Sequence, residues 1–341
     1  LDDACLQSVV ALSKFTLEGV DIGTIFATMS VDNIRWEMPN SHTGASDVTA
    51  QGRELFVNGA PYVVNGVAYA PVGVGENWQD GWRDRPDRYN VDFPLIADMG
   101  ANTVRLYAPL LTSDLLDAAA AEGLMVIPTF GVDSINLECA DGKAAMEAQF
   151  LDVVNQWGDH PAILAWLIGN EVNLNLTPGA SLCGDWYPQL QSMALAAENA
   201  GSTLPVGTAV AGMGDTCSSC SDDIDLPNVD FWGVQLYLGC TYGTSFADYA
   251  AKPDCARPLI VTEYGIDAFD RPGAAPGVEN QAAQASCLES GLAEGHLELA
   301  VRTPGGVLAG QTVFEWSDEW WKAQCEPNGG WAAHDECPDF A

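Results

Sequence analysis

The amino-acid sequence predicts a (β/α)8 TIM barrel preceded by a short N-terminal extension and a β-hairpin. Short apolar runs of the kind that form buried parallel strands recur eight times between Val64 and Phe314. Stretches with helix-compatible residues and spacing separate them, and strand alternating with helix builds a parallel sheet that closes into a barrel at eight units. Polar and aromatic residues gather where the apolar runs end, at positions that a closed barrel brings around one mouth.

Residues 1–50 show no barrel rhythm and are read as an N-terminal extension, in which Asp2–Phe15 can form a short amphipathic helix and Pro39–Ser46 has the composition of a linker. Residues 51–341 are assigned to the barrel. It is introduced by Leu55-Phe56-Val57-Asn58-Gly59-Ala60-Pro61-Tyr62-Val63-Val64, two short strands around an Asn-Gly turn. Strands are expected at Val64–Tyr69, Thr103–Tyr107, Leu124–Thr129, Ile163–Gly169, Pro205–Val210, Phe231–Leu236, Leu259–Thr262 and Leu308–Phe314. The helices between them include Asp114–Ala121, Ala144–Trp157, Leu190–Ala200 and Gln281–Ala293. No sequence repeat beyond this alternation is visible.

Composition narrows the function classes. With 341 residues, 48% of them hydrophobic, the chain can bury a barrel-sized core, and no window is long and apolar enough to read as a membrane span. The 13 basic and 47 acidic residues give a formal net charge of -34, which repels phosphate backbones and anionic head groups and excludes nucleic acid as a partner. Such a surface is well solvated, and the scarcity of lysine also fits a saline or acidic medium. Ten cysteines, several of them in turn-rich stretches (Cys139, Cys183, Cys240, Cys325, Cys337), imply disulfides and a secreted, extracellular protein. Cys217-Ser-Ser-Cys220 has no second closely spaced pair, and His42, His160, His296 and His334 all lie elsewhere, so a structural role is expected rather than zinc. The chain starts at Leu1 with no signal-peptide pattern, so export implies a leader already removed. Asn175-Leu176-Thr177 is a glycosylation sequon that Pro178 disfavours. Asp267, Asp270 and the run Ser221-Asp222-Asp223-Ile224-Asp225 match no calcium-loop spacing and are read as solvated loops. No cofactor or metal is expected, and the chain is expected to be a monomer.

The chemistry lies in two segments, Trp166-Leu167-Ile168-Gly169-Asn170-Glu171-Val172 and Val261-Thr262-Glu263-Tyr264-Gly265-Ile266-Asp267. Each is an apolar strand that runs out at a glutamate. Two carboxylates at one mouth are what acetal cleavage requires: one protonates the departing oxygen while the other attacks the sugar carbon. Other strand ends supply Tyr69, Arg105, Tyr107, Gln235, Tyr237, Glu315 and Trp316. Flat aromatic faces with planar polar groups suit a sugar's C–H surfaces and hydroxyls.

Gly169-Asn170-Glu171 after the fourth strand and Thr262-Glu263-Tyr264-Gly265 after the seventh resemble the acid/base and nucleophile motifs of clan A retaining glycoside hydrolases. Within that clan the chain is most similar to the β-1,3-glucanosyltransferases of glycoside hydrolase family 72, through Gly66-Val67-Ala68-Tyr69-Ala70-Pro71, Asn102-Thr103-Val104-Arg105-Leu106-Tyr107-Ala108, Gly169-Asn170-Glu171-Val172, Pro205-Val206-Gly207 and Val229–Cys240. This resemblance covers roughly residues 53–320. Trp316, where that family tends to have tyrosine, is closer to family 2 and family 5 enzymes, and Glu263-Tyr264-Gly265 also suits family 2.

The resemblance implies Glu171 as general acid/base and Glu263 as nucleophile, with the two carboxyl groups about 5 to 5.5 Å apart and the β-configuration retained. It implies that Asn170 bonds the sugar 2-hydroxyl, that Arg105 and Tyr237 hold Glu263, that Trp316 floors the sugar being cleaved, and that Tyr69 and Tyr107, with Gln235 on the same rim, meet neighbouring units. The expected activity is hydrolysis or transglycosylation of a β-glucan, β-1,3-linked. Two other readings stay open: a family 2 or family 5 type β-glycosidase acting on another β-linked glycan such as mannan or galactan, and a carbohydrate-binding barrel without catalysis.

Overall fold

Strands that are buried on both faces must be apolar nearly throughout, and this chain's eight such runs close on one another. The computed structural model describes residues 46–73, 76, 83–270, 278–317 and 319. The expected helix Asp2–Phe15, Cys5, Cys325, Cys337 and all of the proposed linker but Ser46 lie outside the described residues.

The chain enters through a three-stranded antiparallel sheet of β1 (Val48–Gln51), β2 (Glu54–Val57) and β3 (Ala60–Tyr62). Asn58 and Gly59 turn β2 into β3 with φ of 52° and 75°. Two successive positive values are what a two-residue hairpin needs, and Asn-Gly adopts them at least cost. This sheet lies across the N-terminal face of the barrel: Ser46 Oγ donates to Pro161 O at 2.7 Å, the Tyr62 hydroxyl to Asn102 O at 2.8 Å, and Arg53 Nη2 to Cys255 O at 3.1 Å, all just ahead of barrel strands.

The barrel strands are β4 (Val64–Tyr69), β5 (Thr103–Leu106), β6 (Met125–Phe130), β7 (Trp166–Asn170), β8 (Val206–Ala211), β9 (Phe231–Gln235), β10 (Leu259–Tyr264) and, after a short ribbon of β11 (Phe269–Asp270) and β12 (Val278–Glu279), β13 (Leu308–Val313). They are hydrogen-bonded in chain order, and β13 pairs with β4 to close the ring, every pairing parallel. The (β/α)8 barrel and its hairpin are thus as the sequence predicts. The helices are α1 (Pro86–Asp98), α2 (Asp114–Ala121), α3 (Ala140–Trp157), α4 (Tyr187–Asn199), α5 (Ser245–Ala250) and α6 (Gln281–Leu297). No described helix is long and apolar enough to cross a membrane.

Among the described residues, the strict alternation expected from the sequence fails once. Between β8 and β9, residues 212–230 form turns with no helix. Their composition explains it: Asp222 accepts from the backbone N–H of Ile224 and Asp225, Ser221 Oγ accepts from Ser218 N, and such local bonds compete with a helix ladder. Disulfides hold this segment instead. Cys217 is bonded to Cys255, Cys220 to Cys183, and a third bridge joins Cys240 to Cys287. Cys217 and Cys220 therefore serve two different crosslinks, as structural cysteines. Asp223 pairs with Arg257 at 3.4 Å and accepts from Ala256 N at 2.7 Å.

Small residues fill the barrel interior. A side chain at Gly66 would meet Thr312 and Thr103, and one at Gly233 would meet Thr262 and Thr208 O. This leaves the space above them for larger polar groups at the mouth. Closure is tightest at Gly310, where φ is 145° and a Cβ would fall within the backbone of Val64. Gly310→Ala is expected to cost about 3 kcal/mol or more by strain and overpacking together, measured as a loss of stability in denaturant unfolding; an unchanged unfolding midpoint would show that the β13–β4 seam yields.

Candidate active site

Arg105, on β5, is fully buried, and its position decides what surrounds it. A guanidinium has five donors and no acceptor, so burial requires acceptors to converge on it. Arg105 Nη1 donates to Glu263 Oε1 at 2.7 Å, to Thr262 O at 2.9 Å and to the Tyr107 hydroxyl at 2.8 Å. Nη2 makes a short bond to Asn170 Oδ1. The guanidinium carbon also stands 4.3 Å from the centre of the Tyr107 ring.

Both glutamate-bearing strands are bulged where they end. In the β10–β9 ladder, Val261 pairs with Val234 but Glu263 with Gln235, so one extra residue is accommodated. Thr262 faces the interior opposite Gly233, and alternation would send Glu263 outward. The bulge turns Glu263 inward as well, beside Gln235. In the β7–β8 ladder, Leu167 pairs with Gly207 and Asn170 with Ala209, again with one extra residue on the strand that carries the motif.

Glu263 is 6% exposed and receives donors on both oxygens. Oε1 accepts from Arg105 Nη1, from the Tyr107 hydroxyl at 2.6 Å and from Gln235 Nε2 at 2.6 Å. Among the described residues, Oε2 accepts from the Tyr237 hydroxyl alone, at 2.7 Å. Gln235 Nε2 also donates to Asn170 Oδ1 at 2.6 Å. These contacts fix both amide orientations: Arg105 can only donate, so Asn170 turns its oxygen to it, and Gln235 must then present its nitrogen to two acceptors. Asn170 Nδ2 takes no part in this network and stays available at the mouth.

Glu171 follows β7 in a left-handed conformation, with φ of 48°, and Gly169 before it has φ of 76°. For a residue with a side chain this conformation costs about 1 to 3 kcal/mol and persists only where neighbours enforce it. Glu171 N donates to Ala209 O at 2.9 Å, and its carbonyl accepts from Leu174 N at 2.9 Å and from Asn175 Nδ2 at 3.1 Å. Asn175 is exposed, and its sequon nitrogen is the one engaged here.

The structure thus gathers Arg105, Tyr107, Asn170, Gln235, Tyr237 and Glu263 into one hydrogen-bonded set, with Glu171 adjoining Asn170 in the chain. Tyr237 is 50% exposed, its ring open while its hydroxyl is committed. Trp316 follows β13, is half-buried against the core and donates its backbone N–H to Ala68 O at 3.0 Å. Tyr69 stands apart: it is 1% exposed, and its hydroxyl donates to Asp92 Oδ2 on α1 at 2.8 Å. Sequence reasoning missed Phe314, whose ring lies edge-on between Tyr107 and Tyr237 at 6.1 and 6.2 Å, and Asn173, whose side chain bonds the end of β8. An aromatic residue two before Trp316 was the available signal for Phe314; Asn173 gave none. Among the described residues no group of three or more His, Cys, Asp or Glu side chains is placed to hold a metal ion.

The sequence matches the family model described as Glucanosyltransferase, of glycoside hydrolase family 72, over residues 38–274. The Probable 1,3-beta-glucanosyltransferase GAS3 of Saccharomyces cerevisiae is 25% identical over 273 residues, 70% of this chain and 50% of that protein. The 1,3-beta-glucanosyltransferase GAS5 of the same yeast is 23% identical over 253 residues, 67% of this chain and 51% of that one. The chain spans about half the length of these curated relatives. Among solved structures, a GH2 beta-galacturonidase from Eisenbergiella tayi gives a TM-score of 0.62 at 15% identity, over 86% of this chain and 50% of that one. Bacteroides uniformis beta-glucuronidase gives 0.63 at 19% identity, over 86% and 36%. These structural likenesses speak for the fold.

All nine tyrosines are held above their ordinary value of 10.0, with burial as the first cause in each. Tyr187 is pushed up to about 12. Tyr107 goes well above its ordinary value, with Glu263 adding to burial and Arg105 opposing it. A group whose value is raised in the fold contributes stability that is complete below its unfolded value and is lost as pH climbs past it. The midpoint of thermal unfolding is therefore expected to be insensitive to tyrosine ionisation at neutral pH and to fall above pH about 10, with tyrosinate absorbance appearing only together with unfolding. A tyrosinate signal titrating near pH 10 in the folded protein would contradict this account of the site.

Proposed function

The chain belongs to the glucanosyltransferase family, and we propose that it cleaves β-1,3-linked glucan with retention and passes the released glycosyl unit to a sugar hydroxyl. The observation that carries this reading is the donor set around Glu263. A buried carboxylate receiving Arg105, Tyr107, Gln235 and Tyr237 is in surroundings that suit an anion, and a second glutamate follows the bulged end of β7, which β8 and β9 separate from β10 around the same mouth.

In the first step Glu171 gives its carboxyl proton to the glycosidic oxygen as the bond from that oxygen to the anomeric carbon breaks. Glu263 forms the new bond from the opposite side. Its attacking atom is Oε2, because Oε1 already receives three donors and Oε2 one. In the second step the Glu171 carboxylate takes a proton from the incoming hydroxyl, whose oxygen attacks the anomeric carbon and displaces Glu263. Two inversions leave the β-configuration in place. Asn170 Nδ2, free of the network, donates to the sugar 2-hydroxyl. Trp316 floors the reacting sugar, and the open ring of Tyr237 covers an adjoining unit, favouring a sugar over water as acceptor. Tyr69, bound to Asp92, supports the wall and does not contact sugar in this reading.

Both carboxylates are present, so a binding-only barrel is set aside. Disulfides such as Cys183–Cys220, Cys217–Cys255 and Cys240–Cys287 support an oxidising, extracellular setting, where we take the protein to act as a monomer.

Defined β-linked oligosaccharides separate the possibilities: β-1,3-glucan oligomers should yield products longer than the substrate, while mannan and galactan oligomers should be left intact. Glu263→Ala should lower turnover about 10⁴-fold or more. Added azide should then give an α-glycosyl azide with Glu263→Ala and a β-glycosyl azide with Glu171→Ala acting on an activated donor. The same anomer from both variants would refute the assigned roles.

A further inference from the structure

Asn173 lies two residues beyond Glu171, outside the hydrogen-bonded set at the mouth, yet its side chain ties the Glu171 turn to the end of β8. Its Oδ1 accepts from Ala211 N at 2.9 Å, and its Nδ2 donates to Ala211 O at 3.0 Å and to Asp215 Oδ2 at 2.9 Å. Ala211 is the last residue of β8, and a primary amide facing both its N–H and its C=O reproduces the pairing that another peptide group would make. The β7–β8 ladder, whose last main-chain rung here is Glu171 N to Ala209 O, is thus extended by one rung made from a side chain.

On its other edge β8 pairs with β9, where Ala211 is the partner of Gln235, which donates to both Asn170 and Glu263. The frame that fixes Glu263 therefore also holds the turn that carries Glu171.

We propose that Asn173 is a positioning residue for Glu171. It keeps Glu171 in its left-handed conformation and so aims the acid/base carboxyl at the glycosidic oxygen. This rests on the reading of Glu171 as proton donor. Without the Ala211 pair, the turn keeps the Glu171 N to Ala209 O rung, the bond from Asn175 Nδ2 and its own closure, but loses its tie to the end of β8 beyond Glu171, so that the strained φ relaxes in part and carries the side chain off line. Aspartate cannot substitute, because it loses both donors and sets a carboxylate against Asp215.

A misaimed acid/base slows the first step only where the leaving group needs a proton; the second step is slowed for every donor, but kcat/KM, which reports the first irreversible step, does not register it. The test compares two donors on the full chain: an unmodified laminari-oligosaccharide, whose sugar leaving group must be protonated, and the dinitrophenyl β-glycoside of laminaritriose, whose phenolate leaves unaided. Asn173→Ala and Asn173→Asp should each lose about a hundredfold in kcat/KM on the first and stay within about threefold on the second. Asn175→Ala, which removes a single bond to the Glu171 carbonyl at an exposed position, should show the same split at about tenfold and decides the matter if the Asn173 variants do not fold. Equal losses on both donors, or no loss, with the wild-type protein active, would overturn the role of Asn173 alone. A wild-type protein inactive on both donors would overturn the functional reading and this assignment with it.

Discussion

The mouth of this barrel depends on one buried ion pair. Arg105 is sealed from water, and a sealed guanidinium is tolerable only when its donors are met by acceptors that cannot drift away. Glu263 supplies the charge, Asn170 and Thr262 supply carbonyl oxygens, and Tyr107 accepts from the guanidinium while donating to the carboxylate. Deleting either ion leaves the other buried without its partner, a cost of about 3 to 5 kcal/mol in comparable settings. The pair also assigns direction to every amide and hydroxyl in contact with it. Asn170 must show it oxygen, Gln235 must show nitrogen, and the polarity of the whole cluster follows from a side chain that can only donate.

Such a cluster needs a rigid setting, and the chain builds it from backbone irregularities rather than added elements. Two β-bulges turn the motif strands at their ends. Where the β8–β9 connection lacks a helix, crosslinks take its place: Cys183–Cys220 ties the segment to the start of α4, and Cys217–Cys255 ties it to the turn before β10. Cys240–Cys287 joins the loop after β9 to α6. Four successive strand connections, from β7 to β13, are therefore covalently linked by these three bridges, which lowers the conformational entropy available to the loops around the site.

The sequence carried much of this, for definite reasons. Parallel strands buried on both faces cannot hide among polar residues, so the runs from Val64 to Val313 stood out, and the strand-end glutamates with them. α1 did not, because Pro86, Pro94 and the charged run Arg83–Arg88 leave no clean apolar helical period there; in the fold Pro86 is tolerated in the first turn. The missing helix after β8 was written in serines and aspartates whose side chains bond their own backbone. Period-two alternation could not reveal that Thr262 and Glu263 both face inward, since a bulge is a property of two strands in register and not of one. Tyr69 does end its strand as its sequence position suggests, but the sequence could not show that its hydroxyl bonds Asp92, which lies on a helix that was not expected. Asn173 was invisible because its partner is main chain.

The lopsided donor pattern on Glu263 also bears on the second half of the proposed reaction, in which Glu263 is the nucleophile. Once Oε2 carries a glycosyl group, Oε1 becomes the carbonyl oxygen of an ester, and it still faces Arg105, Tyr107 and Gln235. Three donors on a carbonyl withdraw electrons from the ester linkage and make the carboxylate a better leaving group. The array that steadies the resting anion thus shortens the life of the intermediate, whichever nucleophile arrives. Discrimination between a sugar and water cannot then come from a sluggish ester; it falls to occupancy of the mouth, to whatever stands over the anomeric carbon during the brief interval in which the bond to Glu263 exists.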